Sequence, residues 1–503
     1  MQLSIADKLW GTKARTSYLI LAAIVLLFTF LGAREIWTQE HRWADIVSGM
    51  FYRHDFFHPY LGENQYYDKP LLSYWLISFI TQLTGILSTW SLRLPSALAG
   101  LLAIWSIYQL GVQLKDKSLG LLSGWLLLTT FYFIFWARTS SADMLNLAGS
   151  LFAIAWYMSK RESAHFFDYA IFFMIIALTC LCKGLVGAIV PLLAVLVDII
   201  LQKSWKQHCR LSLLLAFMPA LFIYLLPFWL SSYFGGKAYG ESGLYLVYRE
   251  NVLRYFQPFD HEGPIYTYLI YLPVYLLPWT LFFVPALLSL YQRWKSMSLN
   301  AKWIVWTVFI LFLFFTLSGS RRSYYILPVV PFAILLTADW ILSYKKSPQK
   351  LYAWTAGIVL ASFVLIFVTL DLAPAWYYSL CGTNRFAALL KQEAEKIQPW
   401  KNFNVVLLDA ESKLNFYLQL PPDTKNYQIK GTKRTQQTQA MLAQTWPILQ
   451  KKPANTIFIT RKLYEPELKI FFIGYHVVAL EPINISFLRN DDMNASVAFI
   501  PNR

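Results

Sequence analysis

The chain has 503 residues, of which 57% are hydrophobic and only 14% charged, against roughly 25% charged in a soluble domain. Long apolar runs recur along it, which makes it an integral membrane protein and excludes a soluble globular enzyme. The net charge of +16 does not point to nucleic acid, because the basic residues sit in short loops between apolar runs and no soluble basic module is present.

In chain order, eleven spanning helices are predicted, with cores at 16–33, 92–112, 119–137, 144–158, 166–182, 185–202, 210–231, 266–291, 302–318, 324–343 and 352–373. A helix needs ~20 residues to cross, so several of these are short. The first run, near Ser17 to Ala33, lacks a small-residue cleavage site and is expected to stay as a signal anchor. The run 72–87 (LLSYWLISFITQLTGI) reads as an interfacial or re-entrant helix, since counting it as a span breaks the charge pattern. Cys180 and Cys182, two apart inside an apolar run, point different ways on a helix and read as buried small residues, not a metal pair.

With the N-terminus in the cytoplasm, the inside segments 1–15, 113–118, 159–165, 203–209, 292–301 and 344–351, with their boundary residues, collect sixteen Lys and Arg. That is the bias of the positive-inside rule. An odd number of spans places the C-terminus outside, on the periplasmic face. The outside then receives loop 34–91, the turn at Asp143, loop 232–265 and the tail from about 375. In the tail, apolar runs shorten and charges rise. Residues 384–397 have helical periodicity, 404–409, 456–460, 476–480 and 495–500 read as strands, and a second helix is predicted near 435–450. The expected organisation is a transmembrane domain over 1–374 and a small α/β domain over 375–503.

Among the outside acids, Glu40, Asp68 and Asp143 stand out. A single carboxylate at the rim of a helix bundle is commonly a plain solvated residue. Three on one side, each beside basic or polar residues, can supply a general base and ligands for a divalent metal. The outside bases, among them Arg42, Lys69, Arg138, Lys183, Arg249, Arg254, Arg321 and Arg322, oppose the positive-inside tendency. Interfacial snorkelling is the plain reading of each one. As a cluster at membrane depth they suit a lipid-linked phosphate, with Arg321 and Arg322 opening a helix beside Tyr324 and Tyr325. His54 and His58 read as structural, while His261, between Asp260 and Glu262, is the best imidazole ligand. No P-loop, GxGxxG or HExxH pattern occurs, so a sugar donor would be lipid-carried, not nucleotide-linked.

The segments IWTQEHRWADIVSGM, YYDKPLLSYWLI, CLCKGLVG and SRRSYYILPVVPF, with an Asp at the top of the fourth span, occur in one order. Together they resemble the bacterial relatives of the protein O-mannosyltransferases, and in particular the aminoarabinose lipid A transferases of the GT-C fold. The resemblance covers roughly residues 15 to 345 and implies a membrane glycosyltransferase using a polyprenyl-phosphate sugar. The family's Asp-Glu pair followed by Arg falls on Gln39, Glu40 and Arg42. Its acidic-Lys-Pro motif falls on Asp68, Lys69 and Pro70, its fourth-span acid on Asp143, and its Lys-Gly on Lys183 and Gly184. Its late basic-plus-Tyr motif falls on Arg321, Arg322 and Tyr325. Two departures stand out. Gln39 replaces the acid usually treated as catalytic, and Arg249-Glu250-Asn251 stands where relatives often carry Glu-His.

The expected activity is inverting transfer of a hexosyl or pentosyl unit from undecaprenyl phosphate to an envelope acceptor (lipid A, another glycolipid or a glycan) at the periplasmic face of the cytoplasmic membrane. Glu40 or Asp143 serves as base. Arg42, Lys69, Lys183, Arg254, Arg321, Arg322 and Tyr325 hold the donor phosphate. Asp68 and His261 are the expected ligands of a divalent metal, Zn, Mg or Mn. The alternatives are a protein O-glycosyltransferase of the same fold, or a flippase or transporter of polyprenyl-linked sugars.

Overall fold

The computed structural model describes residues 5–11, 13–37, 39–62, 64–67, 69–163, 165–208, 210–211, 215–234, 243, 245–422, 424–427, 455–470, 472–480, 484–485, 488–489 and 495–502. Two compact units are present. One comprises Met1–Leu31, Phe56–Pro59 and Tyr66–Asp371, and the other Gly32–Asp55, Tyr60–Gln65 and Leu372–Arg503.

The first unit is a bundle of apolar helices. Among the described residues five are long and apolar enough to cross a membrane: Thr89–Leu114, Phe166–Lys183, Leu299–Leu317, Ser323–Ser343 and the run beginning at Pro348. Three shorter apolar helices, Thr16–Phe28, Val186–Gln202 and Met218–Tyr233, accompany them. Thr89–Leu114 opens on a reciprocal cap between Ser88 and Ser91 and packs against Lys117–Leu128 and Ala142–Lys160. Its approach to Lys117–Leu128 is backbone to backbone, since a Cβ on Gly111 would lie 2.5 Å from the Gly120 Cα. Small residues at such crossings let helices pack closely where water supplies no driving force.

Two predicted spans are broken. The run 119–137 is two helices, Lys117–Leu128 and Phe131–Ala137, bent by 72°. The hydroxyls of Thr129 and Thr130 donate back to the Trp125 and Leu126 carbonyls at 2.7 and 2.8 Å, a contact that bends helices. The run 266–291 divides into Thr267–Tyr275 and Thr280–Leu288 around Pro278, which has no N–H to continue a helix. The run 324–343 begins as a 3-10 turn, Ser323–Val329, before the α-helix Val330–Ser343. The helix expected at 72–87 spans Leu72–Thr84 and stops at Gly85 in a left-handed conformation. Its 13 residues reach only about 20 Å, short of a bilayer core.

Buried charges in this unit are paired, as their desolvation requires. Arg138 donates to the Leu26 and Thr29 carbonyls at 2.8 Å each and faces Asp371 at 3.0 Å. Arg93, 1% exposed, donates to the Leu31 carbonyl. Asp198 accepts from the Tyr157 hydroxyl and the Arg161 guanidinium, and Asp339 faces Lys115 and Arg293.

The second unit is built on a five-stranded sheet in the order Asn426–Tyr427, Asn404–Leu408, Thr456–Arg461, Ser496–Pro501, Tyr475–Ala479. The first three strands run parallel, and Ser496–Pro501 is antiparallel to both its neighbours. Alternate side chains cover both faces. Leu407, Ile457, Ile459 and Ile500 pack with Phe386 and Leu390 of helix Thr383–Glu395. Leu408, Phe458 and Phe499 pack with Leu468 and Phe472. The helix predicted at 435–450 lies outside the described residues. Helix Glu40–Arg53 and a short hairpin, Tyr60–Leu61 with Asn64–Gln65, belong to this unit.

Candidate active site

Helices Ala142–Lys160 and Phe166–Lys183 follow one another through a short turn and pack together. The N-terminus of the first and the C-terminus of the second therefore share one end of the bundle. Asp143 sits in the first turn and Lys183 in the last, each complementing its helix dipole. Ser141 caps the first helix by accepting from the Asp143 N–H at 3.1 Å. The Lys183 ammonium donates to Asp143 Oδ1 at 2.5 Å, with both side chains about one-eighth exposed, and lies 5.1 Å from the centre of the Tyr325 ring.

Gly184 follows at φ +121, with a built Cβ only 2.5 Å from Asn251 Oδ1. Asn251 accepts from the Leu185 N–H and donates to the Val247 carbonyl, both at 2.8 Å. It thus fixes the start of helix Val186–Gln202 against the turn Tyr248–Leu253. The same turn presents Glu250 to Arg254. The Arg254 guanidinium donates to Glu250 at 2.8 Å and to Asp260 at 2.7 Å. Burial alone would draw this guanidinium down; Tyr325, Glu250 and Asp260 outweigh it and hold it above its ordinary value.

Lys183, Glu250, Asn251, Arg254 and Tyr325 border a cavity of about 720 Å³. Lys69, Lys183, Glu250, Asn251, Arg254 and Tyr325 form its polar lining. Val186, Ile189, Phe314, Phe315 and Leu317 supply an apolar wall from two helices. A cationic rim next to hydrocarbon suits an anion that carries an apolar tail.

The arginine pair divides its labour. The Arg321 guanidinium donates to the Gly263 carbonyl and, at 3.1 Å, to the Thr316 carbonyl, while its N–H meets the His261 carbonyl at 2.7 Å. It fastens segment 316–321 to segment 261–263. Arg322 donates to the Tyr324 hydroxyl at 2.8 Å and to the His261 ring, and Tyr324 rests on Trp136. His261 also faces Asp260 at 3.1 Å. Burial, then the Arg322 guanidinium, hold its imidazole below the usual value.

Of the expected metal pair, only His261 is among the described residues. Asp68 lies outside the described residues, and among the described residues no three His, Cys, Asp or Glu side chains converge on one point. With His261 against Arg322 and Asp260 bound to Arg254, the donors present do not suit a divalent cation.

Glu40 and Arg42 belong to the second unit. Glu40 is fully buried, accepts the Trp37 N–H at 2.8 Å and faces Arg34 at 3.5 Å. Arg42 is half-buried in the first turn of the same helix. Gln39 takes the N-cap position without a side-chain hydrogen bond. Sequence reasoning passed over Glu250 and Asn251 as participants. The i, i+4 spacing of Glu250 and Arg254 was the available signal.

Residues 68–225 match the family profile of dolichyl-phosphate-mannose-protein mannosyltransferases. The crystal structure of ArnT from Cupriavidus metallidurans bound to undecaprenyl phosphate superposes over 96% of this chain and 97% of that one, with a TM-score of 0.69 and 18% identity. The chain has the GT-C fold. The apo oligosaccharyltransferase of Archaeoglobus fulgidus shares this GT-C architecture more distantly, with a TM-score of 0.53 over 95% of this chain and 75% of that one at 12% identity. In sequence the chain resembles the undecaprenyl phosphate-alpha-4-amino-4-deoxy-L-arabinose arabinosyl transferases. It is 26% identical to that of Enterobacter sp. (strain 638) over 72% of this chain and 66% of the relative. The same identity to that of Pectobacterium atrosepticum covers 65% and 59%. The chain thus spans about three-fifths to two-thirds of the length of these transferases.

Proposed function

We propose that this GT-C protein is an inverting glycosyltransferase that takes a sugar from a polyprenyl-phosphate carrier and passes it to an envelope acceptor, lipid A or another glycolipid or glycan. The observation that carries the reading is the cavity in which Lys69, Lys183 and Arg254 adjoin the wall of Val186, Ile189, Phe314 and Phe315. One end answers a phosphate, the other a polyprenyl chain. The names of the similar transferases and the ligand of the similar ArnT crystal structure support the same donor class.

In this reading the acceptor hydroxyl attacks the anomeric carbon from the face opposite the phosphate, and the C–O bond to the lipid phosphate breaks. Asp143, the acid paired with Lys183, takes the proton. The charge growing on the leaving phosphate is met by Lys69, Lys183 and Arg254. Fixed positive charge in a water-poor site is commonly the largest catalytic contribution. Arg321 and Arg322 hold the loop that presents Arg254 and Tyr325.

The positive-inside count supports a multi-pass inner-membrane protein with a cytoplasmic N-terminus and the 375–503 domain in the periplasm. The Asp143 and Lys183 charges stand at helix ends, Asp143 in a first turn and Lys183 in a last. A flippase needs them along the transport path at mid-membrane, so transfer is favoured over transport. Mass spectrometry of lipid A and envelope glycans from a deletion strain tests the reading. A sugar missing from one of these pools supports it; an unchanged envelope overturns it.

A further inference from the structure

The second unit holds a cavity of about 680 Å³ that takes no part in the chemistry above. Its floor lies where the sheet changes direction. Strand Asn404–Leu408 lies second in the sheet, with parallel neighbours on both sides: the chain goes to Asn426–Tyr427 on one and returns to Thr456–Arg461 on the other. In open α/β sheets the crevice outside the carboxyl ends of the strands at such a point is the usual ligand position. The residues just past Asn404–Leu408, namely Ala410, Glu411, Ser412 and Lys413, line this cavity with Arg461 from the end of the neighbouring strand.

The floor is rigidly made. Asp409 stands at φ +48; its carbonyl accepts from Arg461 Nε at 2.7 Å and its carboxylate from the Tyr464 hydroxyl at 3.1 Å. The Asn426 side chain accepts from the Ala410 N–H at 3.1 Å and donates to the Ala410 carbonyl at 2.7 Å. The opposite wall comes from Arg34 to His41. Glu35 binds Lys413 and the Thr383 N–H at the start of helix Thr383–Glu395, which ties that wall to the sheet. Two aromatic residues, Trp37 (39% exposed) and Tyr378, also line the cavity.

Each Lys and Arg of the lining already faces a carboxylate. Arg34 faces Glu40, Lys413 is held between Glu35 and Glu411, and Arg461 faces Asp409. A multiply charged phosphate gains little from such a lining. A neutral molecule rich in hydroxyls gains donors, acceptors and a ring to lie on. We propose that this cavity binds a sugar unit of the acceptor glycan, with its apolar face on Trp37 and its hydroxyls on Glu411 and Arg461. The acceptor role rests on the transferase reading, whereas sugar binding itself does not.

The test is saturation-transfer NMR on the full-length protein in sugar-free amphipol. The probes are a glucosamine disaccharide and an N-acetylglucosamine disaccharide, with inorganic phosphate as competitor. At least one disaccharide is expected to bind. Trp37→Ala should weaken it about tenfold, as loss of a ring contact implies. Glu411→Gln, which keeps shape and fold, should also weaken it, and phosphate should not compete. Binding of undecaprenyl phosphate, measured on the same preparation, separates the two readings: its loss sinks the donor assignment and leaves this site standing. Silence from both disaccharides, equal binding by both variants, or displacement by phosphate overturns the proposal.

Discussion

Asp143→Asn should separate donor binding from chemistry by moving them in opposite directions. Asp143 neutralises Lys183 at 2.5 Å, and both side chains are about one-eighth exposed. At such depth a unit-charge pair at ~4 Å is worth about 4 kcal/mol with an effective dielectric constant near 20, most of it offset by desolvation. Removing the carboxylate charge frees the ammonium for the lipid phosphate. Affinity for undecaprenyl phosphate should then rise about tenfold, or ~1.4 kcal/mol. The same change deletes the proposed base, so turnover should fall by about 10²–10⁴. Lys183→Met is the control: the donor loses a cation and gains an unpaired carboxylate, for a loss of about 2.7–4 kcal/mol in transition-state stabilisation. The assay is titration of undecaprenyl phosphate into purified protein, alongside single-turnover transfer. Equal donor affinity in Asp143→Asn and the native protein would show that Lys183 does not meet the phosphate. Turnover within about threefold of native would remove Asp143 as the base.

Three further outcomes follow from geometry outside the reaction. Gly184→Ala places a methyl at φ +121 against Asn251 Oδ1, which should cost about 1–3 kcal/mol. A thermal scan that leaves the melting temperature unmoved would refute that strain. Arg138→Met strands Asp371, its 3.0 Å partner, and should destabilise by about 3–5 kcal/mol. Adding Asp371→Asn should restore much of it, and a double variant no better than the single would contradict the pairing. Burial raises the Asp45 carboxyl from 3.8 to about 7. The folded state then holds the proton more tightly than the unfolded one, so stability falls as pH rises from about 4 to about 7 and is flat beyond. Such a shift corresponds to roughly 4 kcal/mol at full burial, cut to about 1–2 kcal/mol by partial exposure. Asp45→Asn should melt higher than native at pH 8 and lose this slope; an unchanged slope between pH 5 and 8 would assign it elsewhere.

The parts of the fold set by local burial were legible in the chain. Thr456–Arg461 reads as a strand because both of its faces are covered, by Ile457 and Ile459 on one side and Phe458 on the other, and a run of apolar residues follows directly. The order of the strands was not legible, because the partners of Asn404–Leu408 are set by contacts far apart in the chain. Hydropathy averages over a window, so the apolar run 119–137 gave no sign that Thr129 and Thr130 would turn their hydroxyls on the helix carbonyls. The site shows the same division. Asp143 and Lys183 were marked as residues, and their meeting follows from two consecutive helices packing side by side. Asn251 was passed over because its partner, the Leu185 N–H, lies 66 residues away.

The hardest case is the pair Arg321–Arg322. In sequence they are two equal cations beside a tyrosine, and either suits a phosphate. A guanidinium has five N–H donors in a fixed fork, and what it can still recognise depends on which of them are already engaged. Arg321 directs its fork at the Gly263 and Thr316 carbonyls, so its charge sets a loop in place. Arg322 reaches the His261 ring and the Tyr324 hydroxyl, both side-chain groups that a ligand can displace. Arg321 is thus committed to the backbone and Arg322 to side chains, a distinction that residue type cannot make and hydrogen-bond partners can.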